Sequence, residues 1–338
     1  MQHNAVVHPA DGEPLLKPSA LPDARPSRRS KALFAVSRST MRPLAGVLPG
    51  NSLGVAGLDA TLRVFLAAAS APRRGLRITP VDVPGPDGRI RGEWVCAPGV
   101  DPGAAAVLYI HGGAFVACSP RTHRGLIGEL SAEARRPVFA VEYRKAPLYP
   151  FPHAVEDAAR AYHWLTASGR AVAVAGDSAG GQLAVATTLA ARRRGLPAPA
   201  AVLLFSPALD LTGGLASSRD LRRRDAFAPA RRVGSTFAFY IGDTDPRHEL
   251  LDVLHADVAG FPPTMIHVGG TEMLLDDART FAAQLRKAGA AASLHVARGQ
   301  IHVFPAMFRT IPEARTALRE GGEFLATALP LHPSGLTV

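Results

Sequence analysis

The stretch "AVAVAGDSAGGQLAVATTLAARRRG" at 171–195 constrains the fold more than any other. The apolar run "AVAVA" suits a buried strand and stops at Gly176, and a helical pattern then runs to Gly195. A strand that feeds a helix through so short a turn is half of a βαβ unit. The alternation recurs. Short apolar runs at 105–110, 137–143, 171–175, 201–205, 264–268 and 293–297 read as strands, and helical patterns such as 152–167, 179–194 and 274–288 lie between most of them. Ahead of them, "RITPVDV" and "RIRGEWV" flank the turn signal "PGPDGR", which predicts an antiparallel hairpin. The sum is an α/β chain with an eight-stranded, mostly parallel sheet covered by helices on both faces. The segment 207–262, with "LRRRDAFAPARR" and "GFPP", breaks the rhythm and reads as an insertion above the sheet.

Ser178 falls on the strand-to-helix turn. A turn that sharp brings the residues two before and two after the serine together, and Gly176 and Gly180 remove the clash. This is the G-x-S-x-G pattern that lifts a serine hydroxyl at a sheet edge. The competing reading is a glycine-rich connection with no chemistry. A second element favours chemistry. "VLYIHGGAF" (107–115) sets two glycines just past another strand, where the N–H groups of Gly112 and Gly113, with that of Ala179, could receive an oxyanion. His111 reads as an organiser of that loop, because in this chain order the base follows the serine. The third element lies C-terminal. "GGTEMLLDDA" (269–278) and "GQIHVFP" (299–305) follow strands and give the order serine, acid, histidine. His302 is the candidate base, against the plain alternative of a surface histidine, one of twelve. Glu272 stands in the loop and is the first candidate acid. Asp276 is the alternative; it and Asp277 fall where a helical pattern has begun, and acids there suit a helix N-terminus.

Composition narrows the function classes. The 338 residues carry a formal net charge of +10 without the aromatic-basic alternation of a nucleic-acid binder, so no nucleic acid is expected. Cys96 and Cys118 make no metal-ligand spacing and no disulfide framework, and no H-E-x-x-H is present; neither metal nor cofactor is expected. Free thiols and a first thirty residues without an apolar core suggest a cytoplasmic protein. The longest apolar stretch, "VFLAAASA" at 64–71, is too short to span a bilayer. Residues 1–45 read as a mobile tail with one short helix. Within them "PDARPSRRSKALFAVSRSTMRP" holds six basic residues and one acid, enough for weak contact with a membrane surface. The oligomeric state is left open, a homodimer included.

Several of these motifs together resemble one family. "HGGAF" and "GDSAGGQLA", the segment "EYRKAPLYPFPHAVEDAARAYHWL" (142–165) and "LRKAGAAASLHVARGQIHVF" (285–304) are similar to those of the hormone-sensitive-lipase-like, or GDXG, branch of the α/β-hydrolases. The likeness covers about residues 75–328. It implies a serine carboxylesterase or lipase with an α/β-hydrolase fold. Ser178, His302 and Glu272 would form its triad, with Gly112, Gly113 and Ala179 around the oxyanion. It also implies a small helical cap made by residues 1–75 and an insertion at about 207–250, over a catalytic domain at 76–330. Lys145 and Leu148 depart from the family's leucine and glutamate, and Glu272 stands where aspartate is usual. A short-chain ester is the expected substrate. A lactone hydrolase or a small-metabolite deacetylase would use the same triad, and a non-catalytic ligand receptor would use the same fold.

Overall fold

The computed structural model describes residues 15–19, 21 and 24–330. Eight strands form one sheet: β1 (Arg77–Gly85), β2 (Gly88–Cys96), β3 (Ala106–Ile110), β4 (Val138–Val141), β5 (Val172–Asp177), β6 (Val202–Phe205), β7 (Thr264–Gly269) and β8 (Ala292–Ala297). Their spatial order is β1-β2-β4-β3-β5-β6-β7-β8. β1 and β2 form the expected hairpin, β2 lies antiparallel to β4, and the pairs from β4 to β8 are parallel. Every residue of β3 to β7 is buried, as strands covered on both faces require. Helices α3 (Pro120–Ala134), α4 (His153–Ala167), α5 (Ala179–Arg193), α8 (Leu275–Lys287) and α9 (Pro312–Ala328) supply the cover. α3 packs on α9 and α4 on α5. α5 and α8 share the connection before β7, where Gln182 donates to the Leu250 carbonyl and Gln284 to that of Ala256.

The N-terminal region differs from its sequence reading. The one short helix expected within 1–45 is a 20-residue helix, α1 (Arg28–Val47), and a second, α2 (Ser52–Ala69), follows beyond that segment. Each has a cap: Ser27 accepts the Ser30 N–H, and Asn51 accepts those of Leu53 and Gly54. The start of α1 is tethered far along the chain, since Glu313 accepts the Ser27 N–H at 2.6 Å and the Ser30 hydroxyl at 2.8 Å. The mobile-tail reading is therefore corrected for residues 24–45; its part in 1–14 lies outside the described residues. The apolar stretch at 64–71 belongs to the longer α2, which is apolar and long enough by composition to cross a bilayer. It still carries Asp59 and Arg63, paired at 2.7 Å.

The insertion folds as α6 (Gly214–Arg222) and α7 (Ala230–Ile241). Arg42 of α1 joins the two halves of the cap. It grips Asp220 with two hydrogen bonds, at 2.9 and 3.0 Å, and donates to the carbonyls of Asp225 and Ala228. Phe65 of α2 meets Phe227 edge to face, with ring centroids 5.5 Å apart.

Candidate active site

The register of the parallel strands aligns their carboxyl ends. Ile110 pairs with Gly176, Asp177 with Phe205, Phe205 with His267 and Gly269 with Ala297. The loops after β3, β5, β6, β7 and β8 therefore open on one edge, where ligands of open α/β sheets bind.

Ser178 sits on the turn from β5 to α5 with φ 53° and ψ −122°, a conformation foreign to most side-chain-bearing residues. Its N–H is fixed on the Phe205 carbonyl at 2.9 Å. A Cβ on Gly176 would lie 2.3 Å from the Gly180 carbonyl oxygen, and one on Gly180 would lie 2.0 Å from that of Ile110. The glycines thus let the turn close on itself and press against the end of β3.

Ser178 Oγ lies 2.9 Å from His302 Nε2, and His302 Nδ1 lies 2.6 Å from Glu272 Oε2. Glu272 is 1% exposed, and its other oxygen accepts the Ser206 hydroxyl at 2.8 Å and the Gly269 N–H at 2.6 Å. Ser206 in turn accepts the Val303 N–H, so one hydroxyl holds both the acid and the histidine loop. Burial favours the neutral imidazole. The Glu272 hydrogen bond and the charges of Glu272, Asp225 and Asp177 outweigh it, and the His302 pKa lies above its ordinary value. Asp276, the alternative acid, faces Arg222 at 2.9 Å, Arg279 at 3.2 Å and Arg219 at 3.4 Å. Asp277 accepts the N–H groups of Leu209 and Asp210, and burial pushes its carboxyl up to about 8.

The oxyanion loop requires a correction. The Gly112 N–H, expected to face the oxyanion, donates to Asp177 Oδ1 at 3.0 Å. A Cβ there would meet Asp177 Oδ2 at 2.3 Å, so glycine serves this close approach. The N–H groups of Gly113 and Ala114 have no hydrogen-bond partner among the described residues. The Ala179 N–H opens α5, where the first turn lacks intrahelical acceptors. His111 stacks on Tyr143, with centroids 4.3 Å apart, and its Nδ1 lies 2.7 Å from the Gly112 carbonyl oxygen. It braces the loop and has no contact with Ser178 on the hydrogen-bond network.

Four residues escaped the sequence reading. Asp177, adjacent to the serine, also takes the Tyr109 hydroxyl at 2.7 Å and lies 3.4 Å from His123. Burial alone would raise its carboxyl, but these partners hold it below the usual carboxylate range. Asp59 of α2 accepts the Cys118 N–H at 2.9 Å, tying the cap to the oxyanion loop. Asp225, buried between α6 and α7, accepts the N–H of Met273, the residue after Glu272, at 2.7 Å. Ser206 is the fourth. Only Asp177 lay inside a motif; the others are set by partners at least 48 residues away.

The sequence pattern of a family described as an alpha/beta hydrolase fold matches residues 107–306. A solved esterase from the bacterial hormone-sensitive lipase family superimposes with a TM-score of 0.80 at 32% identity, covering 90% of this chain and 99% of its own. This chain belongs to that family. The hydrolase is also similar to the carboxylesterase/phospholipase LipF of Mycobacterium tuberculosis, at 34% identity over 96% of this chain and 89% of LipF. An acetyl-hydrolase of Streptomyces hygroscopicus is 39% identical over 71% of this chain and 81% of its own length. The hydrolase is an ester-cleaving enzyme.

The cavity above Ser178 has a volume of about 160 Å³. In this hydrolase Leu58, Leu62 and Phe65 of α2 form one wall, and Phe227 and Phe237 of the insertion form another. The Phe227 ring lies 5.9 Å from that of His302.

Proposed function

We propose that the protein hydrolyses short-chain carboxylic esters through an acyl-enzyme on Ser178. The observation that carries the reading is the unbroken path from Glu272 through His302 to Ser178. His302 Nε2 takes the serine proton as Oγ bonds the ester carbonyl carbon. Glu272 fixes Nδ1–H and stabilises the imidazolium. The carbonyl oxygen, now an anion, is received by the N–H groups of Gly113, Ala114 and Ala179. The imidazolium returns its proton to the departing alkoxide as the carbon–oxygen bond breaks, and the acyl group stays on Ser178. Water then attacks the acyl-enzyme with His302 again as base, releasing the acid and restoring the serine.

Short acyl chains are supported by the cavity. Its 160 Å³ lies below the roughly 300–1,000 Å³ of ordinary small-molecule pockets. The acetyl-hydrolase relative, by its name, points toward the same small acyl group.

The test combines a serine-directed organophosphonate with a panel of esters of rising acyl length. Mass spectrometry should place the adduct on the peptide holding Ser178, and kcat/KM should fall from butyrate to dodecanoate esters. A labelled peptide elsewhere, or a Ser178→Ala variant with unchanged turnover, would end the mechanistic reading. A preference for the long ester would end the chain-length reading alone.

A further inference from the structure

α2 is apolar on two opposite faces, yet only Gly54 and Leu66 of its 18 residues are buried. One face walls the catalytic cavity. The other is the stripe Leu53, Ala56, Ala60, Val64 and Ala67, all exposed and spaced to share one side of a helix. Leu53 is 74% exposed and Val64 73%. A helix apolar all round is ordinarily covered on every side. The exposed side continues beyond α2. Val47, at the end of α1, is 74% exposed, and Leu221 of α6, across a groove from it, is 88% exposed.

Charge says what covers this side. Residues 24–77 hold ten Lys and Arg and one acid, nine of the ten net charges of the chain, and the remaining residues are nearly balanced at 28 basic to 27 acidic. The one acid, Asp59, is already engaged by Arg63 and the Cys118 N–H. Arg28, Arg29, Lys31 and Arg38 of α1 are exposed, and so are Arg222, Arg223 and Arg224 around Leu221. A second copy meeting this side with its own would set like charges together. A surface that is apolar inside and anionic outside satisfies both features at once.

We propose that the outer side of the cap, centred on the Leu53–Val64 stripe of α2, docks on an anionic lipid surface. The apolar side chains enter the boundary of headgroups and acyl chains, and Arg28, Arg29 and Arg38 of α1, with Arg223 and Arg224 just after α6, meet the phosphates. Docking stands without the esterase reading. Its consequence rests on that reading: an apolar ester dissolved in the lipid lies one helix thickness from the cavity over Ser178.

The test is co-sedimentation of the full chain with vesicles of phosphatidylcholine alone and with added phosphatidylglycerol. Binding should require the anionic lipid and weaken as salt rises. The double variant L53D/V64D should lower the partition coefficient by roughly tenfold or more. R29E/R224E should lower it in anionic vesicles, and A60W should raise it. Turnover of a water-soluble short ester should match the parent in each variant; if the parent lacks that activity, far-UV circular dichroism reports the fold instead. Binding to anionic vesicles that L53D/V64D leaves unchanged overturns the proposal, as does no binding at low salt. A dimer in size exclusion that L53D/V64D dissociates, with no vesicle binding, would assign the stripe to contact between copies.

Discussion

Beneath the cavity, Ser178, Glu272 and Gly113 stand past the ends of strands buried along their whole length; above it, α2 leaves 16 of its 18 residues accessible. The floor is held by close backbone approaches at Gly176, Gly180 and Gly112 and by hydrogen bonds near 3 Å, where displacing one group displaces the next. The roof is held by ring contacts, by Arg42 on Asp220 and by Arg232 on the Gly46 carbonyl. Close-packed floors do not deform continuously, whereas an accessible helix can shift without breaking a ladder. Errors in the floor should therefore appear in kcat, and errors in the roof in KM and stability.

The largest expected break is in the floor. Glu272→Gln leaves the shape of the acid but holds the imidazole in the wrong tautomer, and kcat should fall on the order of 10³–10⁴-fold. Asp276→Asn, among its arginines, should change kcat by no more than about threefold, since surface ion pairs contribute little. Steady-state kinetics on one soluble ester checks both, and a dead asparagine variant beside an active glutamine variant would exchange the roles. Gly112→Ala comes next. Its methyl group would overlap Asp177, and shifting the loop should lower kcat by about 10²–10³-fold, the usual loss for one oxyanion donor. An unchanged kcat would show that the loop tolerates the movement.

The roof should respond more gently. Arg42→Ala removes the grip between α1 and the insertion, and thermal unfolding should show a loss of about 1–3 kcal/mol. The KM for a small ester should rise while kcat stays within about threefold. A large kcat loss would mean that the roof also positions the triad. The smallest effect tests that link directly. His302 must be neutral to accept the serine proton, so kcat/KM should rise with pH through a pKa above the ordinary imidazole value. Asp225 helps to raise that pKa, so Asp225→Asn should move the acid limb to lower pH. A limb that stays in place would separate the cap from the proton chemistry.

The same division governs what could be read from the chain. The nucleophile turn is legible because its constraint is local: Gly176 and Gly180 flank Ser178 by two residues. The loop position of the proposed acid is legible for a similar reason, since Glu272 precedes α8 while Asp276 and Asp277 fall in its first turn. The direction of the Gly112 N–H is not legible, because Asp177, 65 residues on, decides it. Nor is the tether that joins the two parts of the cap, where Arg42 finds Asp220 across 178 residues, nor the full length of α1, which continues past Pro43. Motifs report short-range necessity; pairing between distant surfaces leaves no spacing to read.

Seven described residues other than glycine have positive φ, and six of them, Ala114, Phe115, Cys118, Ser178, Ser206 and Val303, ring the site. Each such residue costs about 1–3 kcal/mol of backbone strain. Val303, β-branched at φ 48°, is the most awkward of them. Selection for heat tolerance alone would favour glycine at Ala114 or Val303, because glycine accepts these angles freely. It would also loosen the two loops that flank the serine. Durability and turnover thus pull in opposite directions at a few identifiable positions, and a hardier enzyme is better sought on the far side of the sheet.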